Sequence, residues 1–364
     1  MLIYIRIEDH LKRQADELVS RGLYPDFNTV ITVAVQNLVV AEEEAAQTPA
    51  LKPVPASRQA ATTSASPITP PSTPLKAELP KAAQRDGSAS VPEKLIVPFP
   101  ADFFRPDQCV PVEKWVFGQQ NRVLPAKINA RLFINLIAER GSEVELFEAA
   151  NEISTRAVHV YEFLDGLDKR FGHGKDDLLS TGFPEPGSEK AISRYANHFA
   201  AYESTQGNLT GMLIQWKLVG VKRVKNKTYL LPTKACLDFS ALTNPLLDQP
   251  VTAKPSEKFS REEVSWTIEH IRKHVPVEAS AFTTILNGLH EGFTTPDAID
   301  GFVRQHAKEK ADVSPAFVST QRSGAVSRMA DLNLVKRQRD GTKVTYEITE
   351  LGHKWLKALK AEKS

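Results

Sequence analysis

From residue 43 to residue 95 the chain runs through proline, alanine, serine and threonine with almost no aromatic residue and no apolar periodicity. Such a stretch cannot bury enough apolar surface to offset the entropy of ordering it, so it reads as a disordered linker. It divides what can fold into a small unit, 1–42, and a larger body. A second break is expected at 246–259, where prolines interrupt any helix, separating a helical domain at 96–245 from a domain at 260–364. A length of 364 residues suits two or three such domains.

The end of the chain is the most patterned part. Val318, Ala325, Met329 and Leu332 recur at helical spacing. Leu334 and Val335 then enter a strand that carries Lys336, Arg337 and Arg339. Asp340-Gly341 is a turn dipeptide, Lys343 follows it, and Val344, Tyr346 and Ile348 alternate along the returning strand. Thr349 can cap a last helix whose apolar face is Leu351, Trp355, Leu356 and Leu359. The same order occurs earlier. Met212, Leu213 and Trp216 lie on a helix, Lys217, Leu218 and Val219 enter a strand with Lys222 and Arg223, and Lys225-Asn226-Lys227 turns the chain. Thr228–Leu231 returns to a helix. This is an internal repeat of architecture.

The first unit alternates over Leu2–Ile7, with Ile3, Ile5 and Ile7 on one face. A helix follows from Asp9 to Arg21, ended by Gly22, and a second runs from Asp26 to Glu42 with Ile31 and Val35 in its apolar stripe. Strand, helix and helix in this order resemble a ribbon-helix-helix unit. Because some forty residues are too few to stand alone, the resemblance implies that two copies pair through Ile3, Ile5, Ile7, Ile31 and Val35.

On these residues the first unit resembles a ribbon-helix-helix domain, chiefly in "LYPDFNTVITVAVQNLV". The segment "VSTQRSGAVSRMADLNLVKRQRDGTKVTYEITELG" resembles a winged helix-turn-helix domain of the bacterial regulator type. The resemblance implies a mainly α fold with small β-wings (α+β): a paired ribbon-helix-helix unit, a linker and two winged-helix domains. It also implies double-stranded DNA as partner. Lys217, Lys222, Arg223, Lys225 and Lys227 on one wing, and Lys336, Arg337, Arg339 and Lys343 on the other, would hold phosphates. Gln321, Arg322, Ser323 and Arg328 on the preceding helix would read base edges. The expected role is a non-enzymatic regulator of transcription, or a protein binding a plasmid or mobile-element locus. The alternatives are an adaptor subunit of a larger DNA-handling or anti-phage complex, and a plasmid replication initiator.

Composition narrows the field further. The formal charge is only +2, so a nucleic-acid footprint must come from local clusters. Two cysteines, Cys109 and Cys236, make neither a disulfide framework nor a zinc module and suit a reducing, cytoplasmic setting. No signal peptide or membrane span is legible. His173 with Asp176 and Asp177 in "FGHGKDD" reads as a solvated loop rather than a metal or nucleophile site. No phosphate loop, dinucleotide fingerprint or zinc-protease spacing occurs, so neither catalysis, cofactor nor metal is expected.

Overall fold

The computed structural model describes residues 91–98, 110–175, 177–204, 206–306 and 313–362, with Lys12, Asp16 and Ser20. The paired unit expected at 1–42, including its isoleucine contacts, lies outside the described residues apart from those three, and so does the linker up to residue 90. The end of that linker is not a tether. Glu93–Leu95 forms a 3-10 turn, Leu95 is buried, and Val97 bridges to Thr233. The described residues are mainly helical, with small antiparallel sheets.

The body is built from two units of the same plan. In the first, α1 (Leu124–Arg140) is buried on nearly every side, as befits a central helix. Gly141, left-handed at φ 65°, ends it. Strand β1 (Val144–Glu145) leads into α2 (Leu146–Phe171), whose first turn is capped by the Glu145 carboxylate. Next come α3 (Glu189–Tyr195), a π-helical turn at Ala196–Ala200, and a hairpin of β2 (Tyr202–Glu203) and β3 (Leu209–Thr210). A single turn, α4 (Met212–Gln215), precedes the hairpin of β4 (Val219–Val224) and β5 (Lys227–Pro232), and α5 (Lys234–Ala241) closes the unit. Strand β1 adds to the outer edge of β5.

Helix α6 (Arg261–His274), started by a Ser260–Glu263 capping box, leads to the second unit. There α7 (Pro276–His290), α8 (Pro296–His306) and α9 (Pro315–Asp331) precede a hairpin of β6 (Val335–Asp340) and β7 (Lys343–Ile348), then α10 (Glu350–Glu362).

Identical local physics recurs in both units. The hairpins lie 116 residues apart at each end, Val219 to Val335 and Pro232 to Ile348. Lys217 and Asn333 are both left-handed, at φ 57° and 54°. Their neighbours Leu218 and Leu334 donate to Leu213 and Met329 five residues back. Thr233 and Thr349 each turn a hydroxyl onto the carbonyl of that left-handed residue. The earlier halves lie 150 residues apart, Arg140 to His290 and Leu146 to Pro296. Subtracting 116 from 150 leaves 34 extra residues in the first unit, which lengthen α2 and supply the β2–β3 hairpin.

The two units are joined without a free linker. Residues 246–259, expected to separate domains, are largely exposed but anchored, with Leu246 and Phe259 buried and Asp248 meeting α1, where a buried cation needs a partner. Arg131 donates to both oxygens of Asp248 at 2.7 and 2.6 Å, and to the carbonyls of Ser240 and Leu242. Lys127, wholly buried, pairs with Glu263 of α6 at 3.1 Å. Burial pushes the Lys127 ammonium down to about 8, while Glu263 draws it back up. On the other side, residues 110–123 lie across α7 and α9. Val110 donates to the Ser280 hydroxyl, and Val123 to Asp331.

Gly118 and Gly324 make that second joint possible. A Cβ on Gly118 would stand 2.1 Å from the Thr320 carbonyl oxygen, and one on Gly324 would stand 2.2 Å from the Gly118 carbonyl oxygen. Backbone meets backbone there, so neither side can yield cheaply. Gly118→Ala should lower stability by about 1–3 kcal/mol in urea denaturation. Gly166→Ala in α2, where nothing lies within 4 Å, should raise it by about 0.5–1 kcal/mol.

Candidate nucleic-acid interface

Both long hairpins project from their units and carry their cations outward. The two-residue loops are Lys225-Asn226 and Gly341-Thr342, and the first residue of each is left-handed, at φ 55° and 58°. On the first hairpin Lys222, Arg223, Lys225 and Lys227 are exposed, whereas Lys217 is half-buried at the strand entrance. Lys222 donates to both oxygens of Glu143 at 2.8 and 2.9 Å. Arg223 donates to Glu203 and to the Gly207 carbonyl, each at 2.8 Å. Lys225 and Lys227 make no ion pair among the described residues.

The second hairpin exposes Lys336, Arg337, Arg339 and Lys343. Arg339 donates to the Gly341 carbonyl at 3.2 Å. Lys336 stands opposite Glu347 and Lys343 opposite Asp340, yet neither lysine closes to an ion pair among the described residues. The two engaged cations of the first hairpin remain exchangeable. Their side chains are 52% and 55% exposed, and pairs of that kind contribute at most about 1 kcal/mol.

The helix before the second hairpin departs from expectation. Of the four side chains expected to read bases, only Ser323 is exposed. Gln321 is buried, accepting from the Gly118 N–H and donating to the Trp115 carbonyl. Arg322 is buried and bonded to both oxygens of Asp300, at 2.8 and 3.1 Å. Burial opposes its charge, but the Asp300 carboxylate outweighs burial and raises its pKa. Arg328 is wholly buried, paired with both oxygens of Glu278 and donating to the Gln120 carbonyl. Burial pushes the Glu278 carboxyl up, against the pull of Arg328. Each polar head is satisfied from within the chain, Gln321 and Arg328 by segment 110–123 lying over α9 and Arg322 by Asp300 of α8.

Sequence reasoning did not find these partners. Gln120 and Glu278 lie 208 and 50 residues from Arg328, and Glu203 lies 20 from Arg223. No local spacing announces such distances. The "FGHGKDD" loop is solvent-exposed at Gly172, Gly174, Lys175 and Asp177, Asp176 lying outside the described residues, but His173 is anchored. Asp168 bonds His173 at 2.7 Å, the Ser180 hydroxyl at 2.7 Å and the N–H groups of Leu179 and Ser180. Burial works to raise the Asp168 pKa, but these donors together hold it below the usual carboxylate range. The serine faces the carboxylate and not the histidine, so the order that activates a nucleophile is absent here.

Compared with protein-family models, characterised proteins and solved structures, the chain has no match in any of the three. Among the described residues no helix is long and apolar enough to cross a membrane.

Burial decides which charges are structural and which are available. Arg328→Met strands the Glu278 carboxyl in the interior and should cost about 3–5 kcal/mol in equilibrium denaturation. Glu203→Gln breaks only an exposed pair and should change stability by less than about 1 kcal/mol.

Proposed function

We propose that the two units are winged helices whose wings, β4–β5 and β6–β7, hold the phosphate backbone of double-stranded DNA. The observation that carries this reading is the outward set of lysines, Lys225, Lys227, Lys336 and Lys343, none in an ion pair among the described residues. Arg337 and Arg339 are exposed beside them. Several cations on one protruding ribbon lie within a Debye length of a bound duplex, about 8–10 Å at ordinary salt. Lys222 and Arg223, themselves exposed, can trade their half-buried carboxylates for phosphates at a cost of about 1 kcal/mol or less each. Two wings on one body raise the effective concentration of each contact, and pairing through residues 1–42 would double the count again. The role is non-enzymatic: regulation of transcription, or binding at a plasmid or mobile-element locus.

One observation favours a second reading, an adaptor subunit within a larger complex. Helix α9, which should enter the major groove, has Gln321, Arg322 and Arg328 buried and shows solvent only small side chains. The readings differ in what the protein does alone.

Titration of fluorescent duplex DNA with the full chain across a salt series separates them. The DNA reading expects log affinity to fall linearly with log salt. Replacing Lys225, Lys227, Lys336 and Lys343 by alanine should make that slope shallower by about 0.9 for each phosphate no longer neutralised. No binding at about 50 mM salt, where phosphate contacts are strongest, would hand the case to the adaptor.

A further inference from the structure

We infer that the body of this protein grips duplex DNA of any sequence, because the groups of α9 that could read bases have been turned inward. The inference rests on the proposal that the wings bind DNA, and it adds the class of DNA they take.

Base discrimination in the major groove needs side chains that make paired hydrogen bonds: arginine or lysine on guanine, asparagine or glutamine on adenine. On α9 those types occur at Gln321, Arg322 and Arg328, and all three are buried with their polar atoms engaged. What α9 shows to solvent is Pro315, Ala316, Thr320 and Ser323, preceded by its cap Ser314. None of these can make a bidentate contact. Retracting the covering segment would expose Arg328 and Glu278 together, both wholly buried, and pull apart the Gly118–Gly324 contact. A permanent joint fits this geometry better than a shutter.

The first unit offers only a short replacement. The stretch before its hairpin is broken into seven-residue α3, a π-helical turn, the β2–β3 hairpin and one turn of α4. Lys190 and Arg194 on α3, and Gln206 and Asn208 in the β2–β3 turn, are exposed there. Lys190 and Arg194 stand one turn apart, but α3 ends at once in a π-helical turn with buried side chains, and Asn208 donates to Gln206. The lysines on the wings meet phosphates, which position a protein without identifying a sequence.

The test is selection from a randomised duplex pool with the full chain carrying Tyr4→Ala and Arg6→Ala, so that the N-terminal ribbon contributes no readout. The affinity of the enriched pool is then compared with that of the starting pool at one salt concentration. Dedicated sequence readers discriminate by about 10³-fold or more. A ratio below about a hundredfold supports the inference, whereas a higher ratio overturns it and leaves the DNA reading standing. Absence of binding to either pool in dilute buffer removes both. Gln321→Ala supplies a readout independent of selection. It should lower the melting temperature and leave the ratio unchanged; a relaxed ratio in protein that is still folded would restore Gln321 as a base reader.

Discussion

Arg328 sits at the point on which the rest of the body turns. A guanidinium with no exposed surface is tolerable only when every direction it points in offers an acceptor. Glu278 on α7 supplies two oxygens and the Gln120 carbonyl a third. That third bond reaches across the chain and pins the segment before α1 onto α9. With the segment in place, Gly118 and Gly324 meet at backbone distance, and Gln321 is caught between the Gly118 N–H and the Trp115 carbonyl. The helix that opens the second hairpin thereby becomes interior structure.

A second joint works by the same logic from the opposite side. Helix α1 is central to the first unit, yet it carries Lys127 and Arg131 with no exposed side chain. Their partners, Glu263 and Asp248, lie beyond the end of that unit. Asn244 ties them together, donating to Glu263 and accepting Leu246 while its own N–H reaches Asp248. Trp266 of α6 stacks on Phe239 at 4.7 Å, and His270 bonds the Trp216 carbonyl at 2.7 Å. Burial drives the His270 ring down to about 4, so this contact stays neutral through the physiological range. Residues 110–123 on one side and 239–270 on the other hold the units as one body.

What the sequence made legible was whatever depends on near neighbours. The hairpins were readable because alternation, turn residues and the Thr233 and Thr349 caps act within a few positions. Their repeated order was readable from the same signals, whereas the offset of 116 shared by both ends came from the strand registers. The chain's polar core was not readable, because Gln321 and Arg328 occupy spacings that look solvent-facing until a segment some two hundred residues away covers them, and Arg322 until Asp300 of α8 meets it. Prolines in 246–259 suggested a linker, but proline stops a helix without preventing packing; Leu246 and Phe259 are buried at either end. The anchor of the exposed loop around His173 was hidden for a related reason. The loop's glycines advertise freedom, whereas its anchor, Asp168, lies on the preceding helix.

The repeat also explains why the two hairpins differ. Lys222 and Arg223 are matched by Glu143, just before β1, and Glu203, in the extra residues of the first unit. At the position equivalent to Glu143 the second unit has Phe293, and the residues holding Glu203 have no counterpart there. A phosphate approaching β4–β5 must displace two carboxylates, each exchange small in cost but unfavourable. One approaching β6–β7 meets Lys336 and Lys343 with no ion pair to break among the described residues. On the DNA reading the second hairpin therefore engages first. The first hairpin then adds affinity once the duplex is already held and its local phosphate concentration is high. On that reading the protein gains from length of duplex rather than from any base within it.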